Sequence, residues 1–125
     1  MEILQVAQHA EDLDRAAAFY TQLLGEEPAG RFEPPGLLFF NVGVSRLLLE
    51  KNAPSAVIYL QVDDAQASID AARARGVEII DEPHVIFSHQ DDSLGPAGTD
   101  EWMGFIRDSE GNTVGLVSHE PRHDP

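Results

Sequence analysis

The sequence predicts an α+β fold: two β-α-β-β-β modules paired as a cupped mixed sheet around a cleft. Three observations carry this. Alternating strand-like runs bracket amphipathic helical stripes. The spacing from strand to helix cap is seven residues in both halves, Gln5 to Asp12 and Val57 to Asp64. Helix-ending glycines recur at Gly25 and Gly76. The chain divides into a first module at 1–53, a second at 54–120 and a frayed tail at 121–125, together one domain of ordinary size for 125 residues.

The first element is the run Glu2 to Gln8, which alternates with period two and reads as a strand. Asp12 is a helix N-cap, and Leu13, Ala16, Ala17, Tyr20, Leu23 and Leu24 make the apolar stripe behind it. Arg31-Phe32 reads as a short edge strand. Leu37 to Val42 and Val44 to Glu50 read as two strands joined by a tight turn.

Asn52 to Ser55 is a break, and then the order repeats. Ala56 to Val62 is a strand, Asp64 a cap, and Ala65 to Arg75 a helix. Val77 to Ile80 and His84 to Ser88 are strand-like, with Pro83 between them. Glu101 to Arg107 and Asn112 to Val117 are the last strands, joined by the turn Asp108-Ser109-Glu110-Gly111-Asn112. Gly115 stands in the middle of the last strand, where glycine costs order and packs nothing. Either something approaches the backbone there, or a side chain that could stand there is absent.

Composition narrows the partners. With 22 acids against 8 bases the net charge is −14, which argues against nucleic acid and anionic lipid surfaces and would attract cations. There is no cysteine, so disulfides and thiolate metal sites are excluded. No run approaches the ~20 apolar residues of a membrane span, and the N-terminal sequence lacks the pattern of a signal peptide. A cytoplasmic protein is the expectation.

VAQHAEDLDRAAAFYTQLLG resembles the signature of the vicinal oxygen chelate superfamily, the glyoxalase/bleomycin resistance/dioxygenase group. RDSEGNTVGLV resembles the same group's closing Asp-x-x-Gly-Asn hairpin and strand. The resemblance implies the glyoxalase/bleomycin resistance fold over nearly the whole chain. It implies no single chemistry, because the group includes lyases, epimerases, dioxygenases, thiol transferases and non-catalytic antibiotic binders. It also implies a homodimer, the common state of resembling proteins.

Resembling enzymes hold one divalent metal with His, Gln or Glu from four inward strand positions, leaving coordination sites for a substrate's paired oxygens. Those positions fall on Gln5, Leu48 (or Glu50 with the register moved by two), Val57 and Gly115. Leucine, valine and glycine offer no side-chain donor. The expectation is therefore that no metal or other cofactor is held there. The alternative is a divalent metal on an atypical set, Gln5, Glu50 and His84, serving a lyase, isomerase or dioxygenase.

His84 and His89 lie on opposite faces of a regular strand, and His119 and His123 fall in the tail. Strand alternation collects Gln5, Arg46, Glu50, Tyr59 and Gln61 as polar groups among apolar neighbours, a lining that suits a small organic ligand. Trp102 shares a face with Gly104, which leaves room for a flat ligand or marks ordinary core packing. The acidic loop 88–101 favours a cationic ligand or is simply solvated. The expected function is metal-independent binding of a small aromatic or cationic molecule, as in a sequestering or resistance-type binder. Gln5, Arg46, Glu50, Tyr59 and Trp102 are the ligand-contacting candidates. Whether any reaction is catalysed stays open; Glu50 is the candidate base.

Overall fold

A computed structural model of the chain describes residues 2–122. Its elements follow the expected double plan: β1 (Gln5–His9), α1 (Leu13–Leu24), β2 (Gly30–Phe32), β3 (Leu37–Val42), β4 (Ser45–Glu50), β5 (Ile58–Gln61), α2 (Ala65–Ala74), β6 (Ile79–Ser88), β7 (Thr99–Arg107) and β8 (Thr113–Pro121). One four-stranded sheet has the order β1-β4-β3-β2 and the other β5-β8-β7-β6. In each, the strand before the helix lies parallel to the last strand of its module. This is the fold class the sequence predicts.

The chain separates into two compact units. The first comprises residues up to Val57 together with Asp108–Asn112; the second comprises Ile58–Arg107 and the residues from Thr113 onward. The chain passes from the first unit to the second after Val57, and the β7–β8 turn belongs to the first unit.

Both helices start where their caps dictate. Asp12 and Asp64 are extended, and each side chain accepts the backbone N–H three residues on, from Arg15 and Ala67, at 3.0 Å. Gly25, at φ 69°, ends α1 in the left-handed region that a side chain would disfavour. In the first unit α1 buries Ala16 and Tyr20, and the Tyr20 ring meets Phe40 of β3. The register then sorts that sheet. Leu38, Phe40, Leu47, Leu49 and Gln8 face the helix, and Gln5, Ala7, His9, Phe39, Arg46, Leu48 and Glu50 occupy the opposite, open face.

In the second unit α2 buries Ala65, Ile69 and Ala72. A Cβ on Gly104 would lie 2.8 Å from Ile69, so Gly104 is where the helix sits down on β7. The helix-facing set is Trp102, Gly104, Ile106, Leu116 and Ser118; Tyr59, Glu101, Met103, Phe105, Gly115 and His119 are on the open face.

Two strands differ from expectation. The segment around Pro83 is one edge strand, β6, with register shifts between Ile79 and Asp81, Asp81 and His84, and Val85 and Phe87. An edge position and a bulge are where a proline is tolerated. β8 continues through Pro121, so His119 lies in a paired strand rather than in a tail. His123 lies outside the described residues.

Candidate functional site

On the open face of the first sheet, Gln5 and Arg46 are register partners, and Arg46 Nε donates to Gln5 Oε1 at 3.1 Å. The guanidinium lies 5.8 Å from the centroid of the Phe39 ring, close enough for a cation–π contact. Phe39 meets Phe32 of β2 edge to face at 5.9 Å. Ala29, Gly30, Phe32, Phe39 and Arg46 line an open concavity of about 300 Å³. Its floor is aromatic, and its one charged group is a planar guanidinium held by a neighbouring amide. β2 matters because Gly30 and Phe32 supply one wall from an edge strand that is only three residues long.

The other sequence candidates fall elsewhere. Glu50 pairs with His9 at the far end of the β1–β4 ladder. Four residues of strand separate it from the level of Gln5, roughly 13 Å at ~3.3 Å per residue. The structure thus joins Gln5 to Arg46 and not to Glu50. Tyr59, on β5 of the second unit, lies beside Gly115: a Cβ there would meet the Tyr59 ring at 2.7 Å and Phe105 at 3.0 Å. The glycine exists because an aromatic ring covers its backbone. Trp102 is on the helix side of its sheet, the face away from Tyr59, and the space beside it at Gly104 is taken by Ile69. His84 is exposed on edge strand β6, with Nδ1 3.0 Å from the Glu82 carbonyl oxygen.

The four metal positions implied by the fold do not suit a metal. Gln5 Oε1 already accepts from Arg46, Leu48 is a buried apolar side chain, Val57 carries no donor, and Gly115 is covered by Tyr59.

Two further polar constellations are built into the chain. The first surrounds the turn 108–112. Asp108 accepts from Tyr20 Oη at 2.6 Å, from the backbone of Glu110 at 2.9 Å and from Asn112 through N at 2.7 Å and Nδ2 at 2.8 Å. Asn112 Nδ2 also donates to the His9 carbonyl at 2.8 Å, and the Ser55 hydroxyl donates to Asn112 Oδ1. Burial, reinforced by the charge of Asp108, pushes the Tyr20 hydroxyl far up, so it stays protonated and donates. Glu110 meets the start of α1, and bonding from the Arg15 guanidinium holds its carboxyl down at about 2.

The second constellation is His89, Glu101 and His119. Both imidazole Nε2 atoms meet Glu101 Oε1, at 2.8 Å and 3.0 Å. Burial pushes the Glu101 carboxyl up, but hydrogen bonds from the two histidines and their charge outweigh it, and the net direction is down. Regular strand alternation does not bring these three residues together. The register shift between Val85 and Phe87 sets Phe87 opposite Glu101, which carries His89 to the same face. A signal for the other pair was present. The turn pairs Arg107 with Thr113, and counting outward along a regular hairpin sets Glu101 opposite His119.

The family model of the Glyoxalase/Bleomycin resistance protein/Dioxygenase superfamily matches residues 2–116. The chain belongs to this superfamily. A glyoxylase-like domain-containing protein of Didymella fabae is 33% identical over 121 residues, with 87% of each chain covered. Among solved structures, a lactoylglutathione lyase from Agrobacterium tumefaciens superposes with a TM-score of 0.67 at 25% identity, covering 94% of this chain and 92% of that one. A glyoxalase/bleomycin resistance protein/dioxygenase from Alicyclobacillus acidocaldarius gives 0.65 at 19% identity, covering 94% and 91%; at that identity the likeness is one of fold. No described helix is long and apolar enough to cross a membrane.

Proposed function

We propose that the chain binds a small aromatic molecule bearing an anionic or hydrogen-bond-accepting group, without using the metal positions of its superfamily. The observation that carries this reading is Arg46. Its guanidinium is fixed by Gln5 and lies beside Phe39 in an aromatic-floored concavity of about 300 Å³. Such a volume suits a one- or two-ring ligand. Phe32 and Phe39 supply flat apolar surface, and a guanidinium presents five N–H donors in a planar fork, of which Gln5 takes one. A ligand carboxylate or carbonyl would meet the remaining donors while its ring lies against the phenylalanines. The acidic total charge favours cationic solutes in general, but the local group at this concavity is a cation, and short-range pairing decides orientation. Binding of this kind needs no catalytic group, so the reading is a sequestering or carrier role.

The test uses 1-naphthoate and 1-naphthylmethylamine as a matched pair, titrated calorimetrically into wild type, Arg46→Met and Phe39→Ala. Saturable naphthoate binding, weakened roughly tenfold or more by Arg46→Met, is expected, because a charge-assisted contact of about 1.5–3 kcal/mol is lost. Equal binding of the amine, or naphthoate binding indifferent to Arg46→Met, would overturn the reading.

A further inference from the structure

We infer that His89, Glu101 and His119 form a binding site for a divalent first-row transition cation. The site shares no residue with the superfamily's metal positions, and the inference does not rest on the ligand reading of Arg46. Three observations carry it. The donor atoms converge: one oxygen of Glu101 and an imidazole nitrogen of each histidine all lie within 4.8 Å of one another. They are also withdrawn from water, with side-chain exposures of 2% for His89, 16% for Glu101 and 18% for His119. A solvated cluster of charges would not look like this.

The third observation is Gly95, in the loop between β6 and β7. A Cβ on Gly95 would stand 2.8 Å from His89 Nε2 and 3.0 Å from His119 Nε2. Any other residue would put a carbon against the two imidazole nitrogens, so glycine keeps the space in front of them clear.

The chemistry of the set fits. Two imidazoles and one carboxylate form a three-ligand centre for zinc, cobalt(II), manganese(II) or iron(II), with further coordination positions left for water or a ligand. Metal–ligand bonds of about 2.0–2.1 Å in tetrahedral array put donor atoms about 3.3 Å apart. The observed 2.8 Å and 3.0 Å separations from Glu101 therefore open by a few tenths of an ångström, and the two imidazole nitrogens, which lie within 4.8 Å of each other, adjust to the same spacing by side-chain rotation. Each histidine must present an Nε2 lone pair, which a neutral imidazole does by carrying its proton on Nδ1. The cation would replace the present hydrogen bonds to Glu101 with bonds to itself.

The experiment takes untagged full-length protein, stripped with chelator and dialysed against cobalt(II) and zinc separately. Bound metal is counted by mass spectrometry, and the cobalt complex is read by its visible ligand-field band. Wild type is expected to retain about one equivalent. Glu101→Gln, His119→Gln and Gly95→Ala should each weaken binding by at least roughly tenfold, while His84→Ala and Gln5→Ala should not change it. Gly95→Ala removes no donor, so it separates a steric cradle from chance chelation, and circular dichroism confirms that each variant is folded. If His119→Gln does not fold, Glu101→Gln and Gly95→Ala decide. The inference is overturned if wild type retains neither metal. It is equally overturned if Glu101→Gln and Gly95→Ala bind as wild type does, or if binding instead disappears with Gln5→Ala.

Discussion

Glu110 and Glu101 are both carboxylates shielded by strand and loop, both hold several donors, and both titrate low, yet their partners differ in kind. Glu110 accepts from the backbone N–H groups of Glu11 at 2.8 Å and Asp12 at 2.9 Å, from Arg15 through Nε at 2.7 Å and Nη2 at 2.9 Å, and from the Ser109 hydroxyl at 2.8 Å. A peptide N–H cannot give up its proton, and a guanidinium does not do so in proteins. Its side chain is wholly shielded, while that of Arg15 is half exposed. Glu101 instead holds two imidazoles, groups that exchange an N–H donor for a lone pair by moving a proton around the ring. The first carboxylate is locked into a structural joint at the start of α1. The second belongs to a cluster whose donors can become ligands. Low pKa alone does not separate the two cases; the chemistry of the donors does.

The largest effect expected from breaking this comparison is at Glu110. Glu110→Ala strands two backbone N–H groups and a guanidinium at the helix start, and should cost about 3 kcal/mol of stability. Urea denaturation at neutral pH measures it. A loss below ~1 kcal/mol would show that water replaces the carboxylate freely and that the joint is superficial.

Acid should act through the same group. Glu110 is held at about 2 against an ordinary value of 4.5, so its folded-state pKa is depressed. Its contribution is complete above 4.5 and is lost progressively as pH falls towards 2. Wild type should therefore lose stability across that window more steeply than Glu110→Gln, which has no carboxyl to protonate. Parallel pH profiles of the urea midpoint for the two proteins would count against the assignment.

A smaller effect belongs to Tyr20→Phe. The hydroxyl is buried and donates to Asp108 at 2.6 Å. Its removal should cost about 1–2 kcal/mol. Asp108 keeps its bonds to Glu110 and Asn112, so the turn should hold its shape, and thermal unfolding should stay a single transition.

The sequence showed how the modules are built and less about how their polar groups meet. Cap spacing, the α1 stripe and the closing Asp-x-x-Gly-Asn turn are local signals, and each is read within a few residues. The same alternation sorted Gln5, Arg46 and Glu50 onto one face, but not their order along it, which needs the parallel β1–β4 register. Trp102 beside Gly104 reads equally as room for a flat ligand or as core packing, because Ile69, which fills the space, comes from a helix more than thirty residues earlier in the chain. Strict alternation sets His89 on the face opposite His84, but the strand is bulged between them. Ser-His-Glu-Pro has the composition of a fraying end, yet pairing of β8 with Thr99 to Glu101 keeps His119 in the sheet. The missing information was in each case non-local.

The comparison is sharpest at Glu101→Gln, where the expected effect is smallest. In metal-free protein the change should move stability by less than about 1 kcal/mol. Glutamine has the same shape, and its carbonyl oxygen still accepts from the imidazole Nε2 groups. Among the described residues the Glu101 side chain bonds to the two imidazoles, in contrast to Glu110, whose partners include the N–H groups that open a helix. Chemical denaturation of chelator-treated wild type and Glu101→Gln, run beside Glu110→Gln, measures the contrast directly. A near-neutral result at Glu101 with a large loss at Glu110 means that the two histidines and their carboxylate were not assembled for stability. Equal losses would make the His89–Glu101–His119 cluster a second structural joint, and the distinction between locked and convertible donors would fail for this chain.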